Sequence, residues 1–127
     1  MSEENEMKVW CSTEDWCPVT AASQILGRKW HPVIIHRLVK KNDLSFNELK
    51  REANGISSKV LSETLQDLQD KNIVEKEIIS ESPKKVSYTL TSVGKSLEPV
   101  ILGMAEWGRK RLQPAKDLDS SFEIPSR

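Results

Sequence analysis

Residues 44–71 read LSFNELKREANGISSKVLSETLQDLQDK, and this stretch predicts two helices joined by a tight turn. Ser45 stands three residues before a glutamate, which is the capping-box pattern that opens a helix. Gly55 can adopt the left-handed backbone conformation and so ends that helix sharply. Either Ser57 or Ser58 then caps a longer helix whose leucines share one face. This order predicts a helix-turn-helix.

Hydrophobic periodicity predicts further elements on both sides of this stretch. Helices are predicted over residues 20–26 and 32–41, and the first is expected to bury Ala22, Ile25 and Leu26. Two strands are predicted over 73–79 and 86–90. A helical segment follows over about 92–112, where a proline kinks it or divides it in two. The sequence therefore predicts a mainly α protein with a small β-hairpin (α+β), a winged helix-turn-helix with a C-terminal dimerisation helix.

Charge is unevenly distributed along the 127 residues, although the formal net charge is zero. Residues 1–16 hold five acids and one base, and residues 117–127 hold three acids and one base, so the part between them carries +6. We predict an acidic N-terminal arm over 1–16, a domain over 17–112 and a tail over 113–127. A basic core between acidic ends is compatible with nucleic-acid binding, and solubilising tails on an ordinary domain would look the same.

Several classes of protein are disfavoured by composition. The acidic start lacks the basic and apolar regions of a signal peptide, and the longest aliphatic runs are three residues, far short of a membrane span. Two cysteines are too few to form the disulfide framework of a small secreted protein. The chain shows no glycine-rich phosphate loop, no paired motif carboxylates and no nucleophile elbow. We therefore expect a cytoplasmic protein that is not an enzyme and needs no cofactor.

The outer face of the helix that starts near Ser57 is polar and partly basic, which suits a recognition helix in the major groove. Serine, lysine and glutamine can hydrogen-bond base edges there. The polar loop 80–85 places two lysines at the tip of the hairpin, where a winged fold contacts phosphates or the minor groove. An ordinary solvated helix face with surface lysines would show the same residues. The candidate DNA-binding residues are Ser45, Ser57, Ser58, Lys59, Ser62, Gln66, Lys84 and Lys85.

The C-terminal segment repeats apolar residues at helical spacing after the hairpin. Packing onto the chain's own first helix would use part of this face, and a second copy of the chain would use the rest. The predicted dimer contacts are Leu97, Ile101, Met104, Ala105, Trp107, Gly108 and Leu112. A two-fold dimer would present two recognition helices about one helical turn of DNA apart, ~34 Å.

Four segments together resemble the HxlR-type regulators, a branch of the MarR-like winged-helix proteins: CPVTAASQILGRKW, LSFNELKREANGISSKVLSETLQDLQDKNIVEK, VSYTLTSVGKSL and MAEWG. The resemblance covers about residues 16–112. It implies a prokaryotic homodimer that binds an inverted repeat in promoters, with helix 57–71 in the major groove and loop 80–85 as the wing. The pair His31 and Pro32 departs from the usual family pattern and leaves the start of the second helix open.

Cys17 precedes a proline and the first predicted helix, where a helix N-terminus can lower the pKa of a thiol. Several HxlR-type regulators sense oxidants or electrophiles with a cysteine at this point, and Cys11 is a candidate resolving partner. Acidic neighbours oppose a low pKa, and a buried structural thiol is the more ordinary interpretation. A zinc site built from these cysteines with His31 and His36 is disfavoured, because Cys-x5-Cys is longer than the usual spacing.

These patterns predict a homodimeric transcriptional regulator that binds double-stranded DNA, most simply as a repressor, with an oxidant or a small molecule as effector. The alternative hypothesis is a winged-helix module that binds another protein. That module would present an apolar or acidic outer face on helix 57–71, whereas the observed face is polar and partly basic. Neither a metal nor a membrane is an expected partner.

Overall fold

The structure is a computed structural model, and it describes residues 16–112. Within this range lie six helices and three strands. Their bounds are α1 Pro18–Leu26, α2 His31–Lys41, β1 Asp43–Leu44, α3 Phe46–Glu52, α4 Ser58–Asp70, β2 Val74–Glu81, β3 Lys84–Leu90, α5 Ser92–Lys95 and α6 Glu98–Arg111. None of these helices is both long and apolar enough to cross a lipid bilayer. Except for Trp16, the two arms predicted over 1–16 and 113–127 lie outside the described residues.

The three strands form one antiparallel sheet in the order β1-β3-β2, so the last strand in sequence is central. β1 was not predicted, because a two-residue strand has no measurable alternation. β2 and β3 are longer than predicted and pair as far as Glu81 and Lys84. The predicted loop 80–85 is therefore wrong in extent, since only Ser82 and Pro83 remain to connect the strands.

The helix-turn-helix forms as the sequence predicts. Ser45 Oγ accepts a hydrogen bond from the Glu48 N–H at 3.1 Å, and the Ser45 N–H donates to Glu48 Oε1 at 2.9 Å. Gly55 has φ +101°, in the left-handed region that an L side chain rarely adopts. Ser57 Oγ then caps α4 by accepting from the Val60 N–H at 3.1 Å.

The C-terminal segment divides into α5 and α6 because the chain turns before Pro99. Thr91 Oγ1 accepts from the Gly94 N–H and starts a single turn of helix. Pro99 lies in the first turn of α6, where a missing N–H costs no hydrogen bond. Gly94 packs so closely on the base of the sheet that a Cβ there would lie 2.2 Å from the Ile73 carbonyl oxygen.

The core lies between the sheet and the helices and is built mainly of leucine and isoleucine. In α1, Ala21 and Ile25 are buried, whereas Ala22 is exposed and Leu26 is half-buried. The prediction that Ala22 faces the core is wrong, because residues four apart share a helix face and Ala22 lies about 100° from Ala21. The inward face of α4 is the predicted one, since Leu61, Leu65 and Leu68 are each at most 1% exposed.

Candidate nucleic-acid interface

The first two turns of α4 form the exposed polar surface of the helix-turn-helix. Ser58, Lys59 and Ser62 are all exposed, whereas Leu61 between them is buried. The leucine face anchors the helix in the core and thereby fixes which side chains point outward. A hydroxyl can donate and accept hydrogen bonds and an ammonium can donate three, so this surface fits the donors and acceptors of base edges.

Two of the predicted DNA-binding serines already have a structural role. The hydroxyl oxygens of Ser45 and Ser57 accept backbone N–H groups at the starts of α3 and α4. Each hydroxyl keeps its own hydrogen to donate, which suits a phosphate oxygen. Because Ser57 satisfies the Val60 N–H, the earlier N–H groups of the first turn remain directed outward from the helix end.

The second half of the α4 outer face is acidic. Gln66 donates from Nε2 to Asp70 Oδ1 at 3.0 Å, and Glu63 is also exposed. Asp70 accepts one of the two amide hydrogens of Gln66, which leaves the other N–H and Oε1 to bind a base. The surface suited to DNA is therefore concentrated at residues 57–62, at the N-terminal end of the helix.

The wing lysines lie beside α3. Lys84 and Lys85 are exposed at the start of β3, opposite Glu81 and Ser80. They line an open cleft of about 560 Å³ with Ser45 and other residues at the start of α3. The structure thus brings Ser45, Lys84 and Lys85 together, while the α4 residues do not line this cleft. The polar turns of α4 and the wing are two separate candidate contacts.

The outer face of α6 is apolar and open. Val100, Met104 and Trp107 are exposed and share this face at i, i+4 and i+7, and Val100 was not among the predicted dimer contacts. Leu102, which is also exposed and was not predicted, lies about 200° around the helix from Val100. Ile101 is only 2% exposed and packs in the core of its own chain, where it cannot also contact a second copy. The half-buried members of the predicted set are Leu97, Ala105, Gly108 and Leu112.

The exposed residues Val100 and Leu102 were not predicted, because periodicity alone does not determine which face of α6 packs against the core. Both are sequence neighbours of Ile101. Because Ile101 is buried, they lie on either side of the inward face. The apolar repeat used for prediction began at Leu97, which precedes the first residue of α6. That repeat includes Ile101, which is buried, and Val100 lies about 100° around the helix from Ile101.

Cys17 is a free, exposed thiol at the N-cap of α1. No side-chain hydrogen bond caps the helix, yet the N–H and hydroxyl of Thr20 and the N–H of Val19 lower the pKa of the thiol. The interpretation of Cys17 as a buried structural thiol is wrong, because its side chain is exposed among the residues that the structure describes. Cys11, the candidate resolving partner, lies outside the described residues.

The two histidines have protein partners. His36 Nδ1 lies 2.7 Å from Arg37 Nη1, and His31 Nε2 lies 2.7 Å from Asp67 Oδ2. Between residues 16 and 112 there is no group of three or more His, Cys, Asp or Glu side chains placed to hold a metal ion. The contact of His31 with Asp67 could not be predicted, because the two residues are 36 positions apart.

Comparisons with known proteins agree on one kind of molecule. A model of HxlR-like helix-turn-helix proteins matches residues 25–116. The chain is 36% identical to the uncharacterised HTH-type transcriptional regulator YdeP of Bacillus subtilis (strain 168), over 78% of each chain. It is 36% identical to the HTH-type transcriptional regulator YodB of the same strain, over 77% of this chain and 88% of YodB. The solved structure of the redox regulator HypR in its oxidised form is similar, with a TM-score of 0.70 and 32% identity over 80% of this chain and 100% of HypR.

Proposed function

Because this chain belongs to the HxlR-like helix-turn-helix family, we propose that it is a sequence-specific regulator of transcription that binds an inverted-repeat operator as a homodimer. Its relatives YdeP and YodB are HTH-type transcriptional regulators. The observation that carries the proposal is the N-terminal half of α4, which presents exposed serine and lysine side chains over a fully buried leucine face. We place this activity in the cytoplasm of a prokaryote and assign it no catalytic step.

Residues 57–62 of α4 are proposed to enter the major groove. A recognition helix contacts base edges with its N-terminal residues, and these are the exposed polar positions of α4. Lys59 can donate to the O6 and N7 acceptors of guanine, and Ser58 and Ser62 can bind either donors or acceptors. Gln66 is a weaker candidate because Asp70 already accepts from its amide.

Lys84 and Lys85 are proposed to bind the sugar–phosphate backbone next to the groove. They project from the wing beside the start of α3, where the Ser45 hydroxyl can donate to the same strand. Phosphate contacts of this kind orient the protein without reading sequence. They also make binding weaken steeply as the salt concentration rises, since counterions are released from the DNA.

A second copy of the chain is the proposed occupant of the α6 outer face. Val100, Met104 and Trp107 recur at i, i+4 and i+7 on this one helix and are each between 46% and 58% exposed. Such a contiguous apolar face is typical of a protein–protein interface. We accordingly keep the domain limits at 17–112, with about 92–112 as the dimerisation helix.

Repression by occupancy is the proposed mechanism. A dimer that covers promoter DNA excludes polymerase, and an effector relieves repression by changing the distance between the two α4 helices. The same dimer would have to release one half-site or both when the effector acts.

Cys17 is the proposed site of an oxidant response. Its exposure and its lowered pKa increase the fraction of nucleophilic thiolate. Two thiols, from Cys17 and either Cys11 or a second Cys17, would lose two protons and two electrons to an oxidant such as diamide. The products are one disulfide and the reduced oxidant, a hydrazine. The similar protein HypR is a redox regulator solved in an oxidised form.

The test is selection of sheared genomic DNA on the purified protein, followed by gel shifts of the selected fragments with random DNA as competitor. We expect a small set of promoter fragments that random DNA does not displace. Diamide should release them, and Cys17→Ser should abolish that release. Diamide-insensitive binding would remove the oxidant response alone. Failure to enrich any fragment would overturn DNA recognition and favour the protein-binding module.

A further inference from the structure

A partly buried polar cluster joins the start of α2 to the C-terminal end of α4. The His31 side chain is 5% exposed, and its Nε2 lies 2.7 Å from Asp67 Oδ2. The Lys71 ammonium lies 2.7 and 2.8 Å from the two oxygens of the same carboxylate. Asp67 belongs to α4 and Lys71 is its C-cap, so the cluster fixes the end of α4 opposite to residues 57–62.

The contact with Asp67 assigns the tautomer of the neutral His31 ring. An ionised carboxylate only accepts hydrogen bonds, so Nε2 carries a hydrogen and donates to Asp67. The other ring nitrogen, Nδ1, is buried and has no hydrogen-bond partner among the described residues. A second proton on the ring would sit on Nδ1 as a buried donor without an acceptor, which is an unfavourable state for a folded protein.

Charged groups around His31 act in both directions. Burial lowers the pKa of His31 most, and the positive charges of Arg28 and Lys71 lower it further. The hydrogen bond and the charge of Asp67 raise it, but they do not outweigh burial. Lys29 and Glu63 line the same cleft of about 210 Å³ beside the ring. The neutral ring is therefore the form that fits this site.

We propose that His31 is a pH-responsive positioning residue, which holds α4 in the orientation for operator binding only while the imidazole is neutral. This inference rests on the proposed function, since it concerns the same recognition helix. Protonation would strengthen the attraction of Asp67 for the ring. It would also bury a charge and a second N–H, on Nδ1, that has no acceptor among the described residues, and this cost would draw the ring out of its site toward water. The C-terminal end of α4 would then move, and residues 57–62 at its other end would no longer lie in the position that contacts base edges in the major groove.

The sign of the effect follows from linkage. The pKa of His31 lies below its ordinary 6.5 while the ring stays in its site, so the ring released from that site binds the proton more tightly. As the pH falls below about 6.5, protons therefore favour the released state, and operator affinity decreases. For one proton the loss is at most about tenfold per pH unit. Simple charge attraction predicts the opposite, because an added positive charge would strengthen binding to DNA.

The chain supplies its own control, because it contains only two histidines. Operator affinity is measured by fluorescence anisotropy at pH 7.5, 6.5 and 5.5 and constant ionic strength, for wild type, His31→Gln and His36→Gln. A glutamine amide can donate to Asp67 as Nε2 does, but it does not titrate. We expect wild type and His36→Gln to weaken with acid and His31→Gln to keep its affinity. An equal acid response in wild type and His31→Gln would overturn the proposal.

A second measurement needs neither a variant of His31 nor DNA. Proton NMR of the wild-type protein follows the imidazole signals with pH, and the spectrum of His36→Gln assigns them. We expect His31 to titrate below 6.5 and the amide signals of residues 58–62 to shift with the same midpoint. If these amide signals do not change as His31 titrates, the proposed coupling between His31 and residues 58–62 is contradicted. Absence of specific DNA binding at pH 7.5 would instead overturn the proposed function. The NMR titration would still show whether the protonation of His31 changes the N-terminal end of α4.

Discussion

Ser57 and Lys59 are two positions apart, yet they have different roles at the start of α4. The Ser57 hydroxyl accepts the Val60 N–H and holds the helix end. Lys59 is exposed, and no hydrogen bond or ion pair fixes its ammonium among the described residues. A cap contributes to stability in every state of the protein, whereas a free ammonium contributes only when DNA is present. Substitutions at the two sites should therefore separate folding from binding.

Lys59→Ala is expected to weaken operator binding by ~1–3 kcal/mol and to change binding to random DNA little, because a base contact is lost. Lys84→Ala should weaken both and reduce the slope of affinity against salt by about one, because a phosphate contact is lost. Lys95→Ala, which removes an exposed lysine of α5, is the matched control. Fluorescence anisotropy on both DNAs at several salt concentrations measures these effects. Equal losses on both DNAs for Lys59→Ala would rule out base reading.

The thiol of Cys17 should react at a lower pH than an ordinary cysteine. Hydrogen bonds from Thr20 and Val19 favour the thiolate, so its pKa lies below the ordinary 9.0. Iodoacetamide alkylation of a Cys11→Ser variant, followed by mass spectrometry across pH, isolates this one thiol. The midpoint should lie lower in the folded protein than in the same protein in urea, where α1 is absent. Identical midpoints would show that the helix end does not activate Cys17.

At the level of elements, the sequence predicted those with strong local signals. The capping box at Ser45, the turn at Gly55 and the leucine face of α4 are set by neighbouring residues, so their prediction was confirmed. The two-residue β1 depends on pairing with β3, which is about 45 residues away. The His31–Asp67 contact and the exposed face of α6 likewise depend on tertiary packing. Periodicity in one segment cannot supply that information.

Gly94 connects α5 to the sheet by close packing, and this gives an element-scale prediction. A Cβ at Gly94 would overlap the Ile73 carbonyl oxygen, so Gly94→Ala should destabilise the fold by about 1–3 kcal/mol. Gly103→Ala on α6 is the matched control, since a Cβ built there meets no described atom within 4 Å outside its own stretch of helix, and alanine favours helix by up to ~1 kcal/mol. Urea unfolding at one protein concentration compares them. Equal stability of the two variants would refute the close approach.

At the scale of the whole molecule, the exposed apolar residues of the described chain lie on α6, on β2 and around the start of α1. Val100, Met104 and Trp107 share one face of α6, whereas Ile78 and Ile79 are two neighbours at the bulge of β2. Contiguous apolar patches mark interaction sites, and this is why the α6 face, and not the wing, is the proposed dimer interface.

Trp107→Glu is expected to convert the dimer to a monomer, because a charge would be buried in the proposed interface. Ile79→Glu makes the same change at a comparably exposed site, 63% against 58%, and should leave the dimer intact. Sedimentation equilibrium at several protein concentrations gives the association state of each. A dimer that persists in Trp107→Glu would place the interface elsewhere.

Hydroxyl-radical footprinting of the selected operator tests the central claim most directly, because it shows where both copies contact the DNA. The proposed dimer should protect two patches related by two-fold symmetry and separated by about one helical turn, ~34 Å. Protection should fade in Lys59→Ala and persist in Lys95→Ala. A single protected patch, or uniform weak protection along the fragment, would contradict a dimer that reads an inverted repeat with α4.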